Sequence, residues 1–303
     1  IYGRFGTRSI AGPMAHISVQ ALKNAMTRAL DLHADYPGNR AQFVDKRGAE
    51  PRWKRALDIP ALSRRMGDRP AEQNQRKGCI HCHHIYDGWN DTAYDEDAFY
   101  QDTMWKYPLP ESVGMTIDVD SGNVVESVAE GSFAERADIH AGDVVRSMNG
   151  QPIISQADMQ WVLHHTAPES EVEVVVGRDG APVTSTLAVS GEWKRSNIIW
   201  RASFPSIRPH LWVRAPELSV EEKSELGLGV DDLALKVTTI WAGAARRAGL
   251  MIDDIIVDAG GRTTRMDNGE FHIWLKLVYK DGDSLPTIVL RDGERIPLLI
   301  PIM

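Results

Sequence analysis

The chain's two cysteines, Cys79 and Cys82, stand in the segment Lys77-Gly78-Cys79-Ile80-His81-Cys82-His83-His84. Cys-x-x-Cys-His is the spacing of c-type haem attachment. Thiols three positions apart can reach the two vinyl groups of one porphyrin, and the adjacent imidazole can then turn to the iron. On this reading Cys79, Cys82 and His83 hold one covalent haem c. His83 is its proximal ligand, with the other ring nitrogen donating to a carbonyl or carboxylate. Three other chemistries fit the same residues. A thioredoxin-like dithiol wants a strand-to-helix turn, which the flanks Arg76-Lys77-Gly78 and Ile85-Tyr86-Asp87 do not suggest. Zinc or copper could take both thiols with two of His81, His83 and His84, although so compact a cluster closes a tetrahedron only with strain. A disulfide across so small a loop stabilises least.

A haem iron needs a sixth ligand or an open position. His33 is the first candidate for that ligand, with Met104 and Met66 as alternatives. An open position would turn electron transfer into peroxidase or sensor chemistry. His81 and His84 read as exposed neighbours of the motif, and His164-His165 as a surface or groove feature. The elements that would hold these groups are helical. Ser18 to Asp35 places Val19, Leu22, Met26, Leu30 and His33 three and four apart, with Ser18 as N-cap and Pro37-Gly38 as stop. That spacing predicts an amphipathic helix whose apolar face carries His33. Arg40 to Arg76 is charged and broken by Pro51, Pro60 and Pro70, which suits short helices and loops. Asp95 to Trp105 is a further short helical stretch, ended by Pro108 and Pro110.

From Glu111 the texture changes to strands and Gly-Asp turns, and it repeats. Val124 to Val128, Gly131-Ser132-Phe133-Ala134, His140-Ala141-Gly142-Asp143-Val144-Val145 and Asn149-Gly150 form the first copy. The second is Leu235-Lys236-Val237, Ala242-Gly243-Ala244-Ala245, Ala248 to Ile256 and Gly260-Gly261. Asp143 to Asp254 and Asn149 to Gly260 are both steps of 111 residues, a period that indicates a duplicated domain rather than a solenoid. Gly142-Asp143 and Asn149-Gly150 offer the positive φ of tight turns between short strands.

Both copies resemble PDZ domains of the bacterial high-temperature-requirement-protease type, over about residues 111–190 and 220–303. The resemblance implies peptide binding. An extended chain adds as a strand, and its terminal carboxylate is held by backbone N–H groups of a Gly-Leu-Gly-Phe-like loop. Gly227-Leu228-Gly229-Val230 matches that loop in the second copy. Ser112-Val113-Gly114-Met115 matches it in the first with one glycine fewer, so Val113, Gly114 and Met115 are the peptide-binding residues expected there. The groove helices are expected at Ser155 to His164 and Asn268 to Val278. Asp253 stands where the pattern usually has Gly. The whole chain also resembles a bacterial thioredoxin-like/PDZ (seleno)protein family. That likeness rests on Ile1 to Arg8, Cys79 to His83, Trp105 to Pro110 and the repeats, and it implies that Ile1 to Arg8 is the tail of a missing upstream domain.

The expected fold class is therefore α+β: a mainly helical haem region, 1–110, followed by two PDZ-type β-sandwich or barrel domains, 111–190 and 220–303. Between them lies an aromatic-rich connector, 191–219. The tail Leu299 to Met303 reads as the last strand of the second copy. Alternatively, it could enter a neighbour's groove and build a homo-oligomer. With 34 basic against 42 acidic residues the net charge is −8, which argues against nucleic acid or an anionic membrane as partner. No apolar run reaches the length of a bilayer span. No Gly-x-Ser-x-Gly or Walker loop is present. The function expected is an exported monohaem cytochrome c carrying electrons, periplasmic or extracellular, whose PDZ pair docks a redox partner or a peptide C-terminus. The alternative is a non-haem PDZ scaffold with a Cys/His metal site or a disulfide.

Overall fold

The computed structural model describes residues 16–43, 50–67, 80, 82–99, 104–196, 198, 207–241 and 243–303. In chain order the helices are α1 (Val19–Ala34), α2 (Pro60–Met66), α3 (Cys82–Asp95), α4 (Phe133–Arg136), α5 (Gln156–His165), α6 (Val220–Glu225), α7 (Gly243–Arg247) and α8 (Asn268–Val278). The strands are β1 (Met115–Ile117), β2 (Val125–Val128), β3 (Val144–Met148), β4 (Gln151–Pro152), β5 (Ser170–Arg178) and β6 (Ala181–Val189). They continue with β7 (Val213–Arg214), β8 (Leu235–Lys236), β9 (Thr239–Ile240), β10 (Ile255–Ala259), β11 (Ser284–Arg291) and β12 (Glu294–Pro301).

The chain divides into two compact units, one of residues 1–54 with 100–202 and one of residues 55–99 with 203–303. Each unit thus takes part of the expected helical head. The first has a four-stranded sheet ordered β4-β3-β5-β6 and a two-stranded pair β1-β2, and the second has β12-β11-β10-β8 and β7-β9. Among the described residues neither set of strands closes into a barrel, so the barrel expectation is corrected. Alternation puts one face of each sheet into a core. Met115, Val145, Leu163, Val174 and Leu187 are buried in the first unit, and Leu235, Ile256, Phe271, Val289 and Ile300 in the second. The turns follow the expected chemistry. Asn149 and Gly150 have φ of +47° and +69°, and Gly260 and Gly261 have +59° and +83°. Asp253 holds the left-handed place of Gly142, at +70° against +91°.

Helix α1 belongs to the first unit. Ser18 caps it, accepting from the Ala21 N–H at 3.0 Å. Its packing face is not the one the spacing suggested. Ala21 and Ala25 are buried, whereas Val19, Met26 and Leu30 are 65%, 58% and 65% exposed. The short alanines let the helix approach the β1–β2 turn, where Asn24 donates to the Asp120 carbonyl at 2.9 Å. Arg28 then donates to the carbonyls of Ser121 at 3.0 Å and Ile154 at 2.9 Å. An amphipathic count misses this face because it weights large side chains above backbone acceptors.

Helices α2 and α3 belong to the second unit and cross closely. A Cβ at Gly88 would lie 3.0 Å from that of Leu62, and the Ala61 N–H donates to the Thr92 hydroxyl at 3.2 Å. The far end of α3 is fastened to the strand-rich part of the same unit. Asp95 accepts from Arg208 at 2.7 Å, and the Asp281 N–H donates to the Tyr94 hydroxyl at 2.8 Å.

Candidate functional site

The first unit presents a strand edge beside a helix. A short helical turn, Pro110–Val113, ends in Gly114 at φ +94°. Glycine is required there twice over: the backbone is left-handed, and a Cβ would lie 2.1 Å from that of Ser132. The Gly114 carbonyl then accepts from the Ala129 N–H at 2.9 Å. Thr116 stands opposite Ser127, with Met115 opposite Val128 between them. In an antiparallel ladder alternate residues turn their N–H and C=O away from the partner strand. The backbone groups of Met115 and Ile117 therefore face outward, where among the described residues no strand is hydrogen-bonded to β1. Their side chains point inward and are buried.

Helix α5 flanks this edge and packs on the Pro110–Val113 turn. It starts at a capping box in which Ser155 and Asp158 satisfy each other's backbone N–H groups. Gln156, Gln160 and His164 fall on one stripe of α5. Gln160 donates to the Tyr107 carbonyl at 2.9 Å, and the Tyr107 ring lies 4.3 Å from that of His164. None of these contacts reaches the outward groups of Met115 or Ile117.

The second unit repeats the arrangement with different chemistry. Val213 stands opposite Ile240 and Arg214 opposite Thr239. The preceding residue, Trp212, is left-handed at φ +57°, and its carbonyl accepts from the Trp241 N–H at 2.8 Å. Residues 209–212 are thus in register with 111–114. Here the helix does reach the edge. Helix α8, capped by Asp267 and Glu270, carries Asn268, His272 and Lys276 four residues apart. The Ala215 N–H donates to Asn268 Oδ1 at 2.9 Å. His272 Nε2 lies 2.9 Å from the Val213 carbonyl and must carry the proton, because a carbonyl only accepts. Burial, aided by the Lys276 charge, pushes the His272 pKa down to about 4, so its ring is neutral. Lys276 donates to the carbonyls of Ile207 and Pro209, and burial lowers its pKa to about 7 against the pull of Asp281.

The repeated aspartates have matching roles. Asp143 accepts from the His140 N–H at 2.9 Å and from Arg178 at 2.8 Å through both of its oxygens. Asp254 accepts from the Met251 N–H at 2.8 Å and from Arg291 at 2.6 and 2.7 Å. Burial works upward on the Asp143 carboxyl, but Arg178 and the His140 amide outweigh it and hold it below the usual carboxylate range.

The expected site residues are distributed as follows. Val113, Gly114 and Met115 form the turn and strand start just described. Gly227, Leu228, Gly229 and Val230 do not stand in that position in the second unit, which corrects the expectation. They close α6, with Gly227 in a left-handed turn at φ +71°, and the Val230 carbonyl accepts from the buried Lys223 at 2.9 Å. Cys79 and His81 lie outside the described residues, and Cys82 and His83 open α3. His33 is on the exposed side of α1 and does not look into a core. Met104 is buried in the first unit and Met66 in the second. Among the described residues no group of three or more His, Cys, Asp or Glu side chains is placed to hold a metal. The residues that the sequence did not single out are Asn268 and His272. Their only signal was a polar pair on the groove side of an expected helix.

Residues 112–189 match the PDZ domain family. A probable periplasmic serine endoprotease, DegP-like, of Pseudomonas savastanoi pv. phaseolicola is 32% identical over 189 residues, which cover 61% of this chain and 38% of the relative. The corresponding Marinomonas protein is 26% identical over 64% of this chain and 39% of its own length. The periplasmic pH-dependent serine endoprotease DegQ of Escherichia coli is 30% identical over 46% of this chain and 29% of its own. The chain thus spans two-fifths or less of the length of these relatives. Among solved structures, a serine endoprotease from Yersinia pestis is 23% identical over 26% of this chain and 28% of that one, with a TM-score of 0.24. The HtrA-type protease AlgW with decapeptide is 14% identical over 53% of this chain and 54% of that one, with a TM-score of 0.29.

These findings overturn the cytochrome reading. The relatives are named serine endoproteases, so haem c, iron, electron transport and a redox partner are withdrawn as expectations. The thioredoxin-like/PDZ resemblance narrows to the PDZ domain. The periplasmic setting stands with the relatives. No helix among the described residues is long and apolar enough to cross a membrane.

Proposed function

We propose that this chain is a periplasmic peptide-docking protein, related to the DegP-like endoproteases, which receives extended polypeptide on the outer edge of β1. The carrying observation is that edge. Met115 and Ile117 turn their main-chain groups outward beside α5, with no strand among the described residues paired there. An extended ligand would supply the missing ladder bonds, and the turn ending at Gly114 would face its terminal carboxylate. On this proposal residues 207–303 form a second PDZ-like domain, whose turn is 209–212. The ligand class is an unfolded or C-terminal segment with apolar residues.

The test is fluorescence anisotropy with a fluorescein-labelled decapeptide ending in three apolar residues, free or amidated at its C-terminus. Binding to the full chain is expected for the free form, and about tenfold weaker binding for the amidated one, the size of a lost charge-assisted contact. Equal binding of both forms would remove the carboxylate role, and no binding of either would remove the docking reading.

The relatives' names favour a second reading, in which the chain belongs to an enzyme that also cleaves what it grips. A fluorophosphonate probe on the purified protein decides it, because covalent labelling requires an activated serine. Labelling abolished by one Ser→Ala change would establish this reading.

A further inference from the structure

The two strand edges differ in one respect that bears on which of them can take a ligand. On β7 the outward groups are the Val213 carbonyl and the Ala215 N–H, and both are already hydrogen-bonded by side chains of α8. His272 donates to the first at 2.9 Å and Asn268 accepts from the second at 2.9 Å. On β1 the corresponding groups belong to Met115 and Ile117, and the corresponding helix residues are Gln160 and Gln156. Gln160 is spent on Tyr107, and neither glutamine bonds the strand.

We propose that α8 latches the β7 edge shut. His272 and Asn268 occupy the two main-chain positions that an added strand would use, so an extended chain enters the second unit only by displacing them. The first unit is then the resident docking edge. The exchange is one for one: an incoming strand offers an N–H to Val213 and a C=O to Ala215, replacing each side-chain bond with a main-chain bond. A latch of this kind discriminates between ligands. A chain that makes contacts beyond those two bonds can open it, and one that offers only the two bonds cannot.

Two neighbours hold the latch in position. Lys276, one turn beyond His272, fastens the carbonyls of Ile207 and Pro209 and so keeps the segment leading into β7 against the helix. The Asp267–Glu270 capping box fixes the first turn of α8, and with it the Asn268 amide.

The inference rests on the strand-addition reading above, and the experiment separates the two. The full chain is followed by amide hydrogen exchange at single residues, with and without reduced, carboxymethylated α-lactalbumin as the unfolded-chain probe. Without probe, Asn268→Ala should speed exchange at Ala215 about tenfold and leave Ile256, in the neighbouring ladder, unchanged. With probe, the Ile117 amide of the wild-type protein should slow while Ala215 does not respond. In N268A, and in N268A combined with H272A where it folds, both amides should slow. His272→Gln, which keeps a donor, should behave like wild type. The latch is disproved if wild-type Ala215 slows together with Ile117. It is also disproved if Ala215 exchange ignores N268A. If the probe slows neither edge, the strand-addition reading fails, and the N268A exchange alone decides whether the latch exists.

Discussion

The two strand-rich units share a register down to single hydrogen bonds, and they differ at the two places where a ligand would touch them. Gly114 and Trp212 both turn the chain in the left-handed region and both lend a carbonyl to the strand opposite. Asp143 and Asp254 both cap a turn and clamp an arginine. The groove helices, however, carry Gln156 and Gln160 in one unit and Asn268 and His272 in the other, and only the second pair reaches the strand edge. On the proposed reading, two units of like framework would divide a docking role, because the framework bonds lie on the inner side of the strand pair and the docking bonds would lie on the outer side.

The largest expected effect tests the shared framework. Asp143→Ala and Asp254→Ala each leave a backbone N–H without its carboxylate and an arginine without its two-oxygen partner, although Arg178 keeps Asp138 at 3.2 Å and Arg291 the Gly249 carbonyl at 2.8 Å. Each should destabilise its own unit by about 3 kcal/mol, the lower end for a broken buried pair, since both guanidiniums reach solvent. Urea unfolding followed by residue-resolved exchange reads the two units separately. Markedly unequal losses would show that the framework is not shared in energy as it is in geometry.

A nearly equal effect separates the units by pH. His272 is neutral when folded, with a pKa of about 4, and titrates near 6.5 when unfolded. The unfolded chain therefore binds the extra proton, so the contribution of His272 to stability is complete above about pH 6.5 and is lost as the pH falls toward about 4. At ~1.4 kcal/mol per pKa unit the loss is a few kcal/mol. Lys276 lies on the same stripe and Asp281 acts on it, but His272→Gln should flatten this window specifically. The first unit has Gln160 at that position and should show no such step.

A smaller effect concerns the turns. Gly114→Ala meets both an unfavourable φ and the Ser132 side chain, and should cost about 2 kcal/mol. Trp212→Gly relieves a left-handed non-glycine but removes the stacking on His210, whose ring lies 4.3 Å away. Its net effect should stay within about 1 kcal/mol. Thermal unfolding of the two variants measures the contrast.

What could be read from the sequence follows the same division. The turn pairs Gly142-Asp143 and Asn149-Gly150, the repeated aspartates and the groove helices are set by local chemistry, and each stands where its residues indicated. The turn of the second unit was not legible. Gly227 to Val230 carries the better four-residue match, whereas the true counterpart of 111–114 is fixed by the pairing of Val213 with Ile240, a long-range fact. It is further disguised because Trp212 occupies a glycine-like conformation. The packing face of α1 was hidden for a related reason, since it is made of the small Ala21 and Ala25 flanked by Asn24 and Arg28, which donate to backbone carbonyls, and no apolar count registers such a partner. The Cys79–His83 spacing was legible as chemistry but not as function, because a short motif carries no record of the domains around it.

Strand β1 is only three residues long, and just two of them turn outward. A ligand laid along it gains about four main-chain bonds, each worth about 1 kcal/mol net once water is displaced. Those bonds alone correspond to an affinity of about millimolar even before the cost of immobilising a chain is met, and to a residence time on the order of milliseconds unless side-chain contacts add to them. If the proposed docking holds, a clasp so brief would suit sampling many polypeptides rather than storing them.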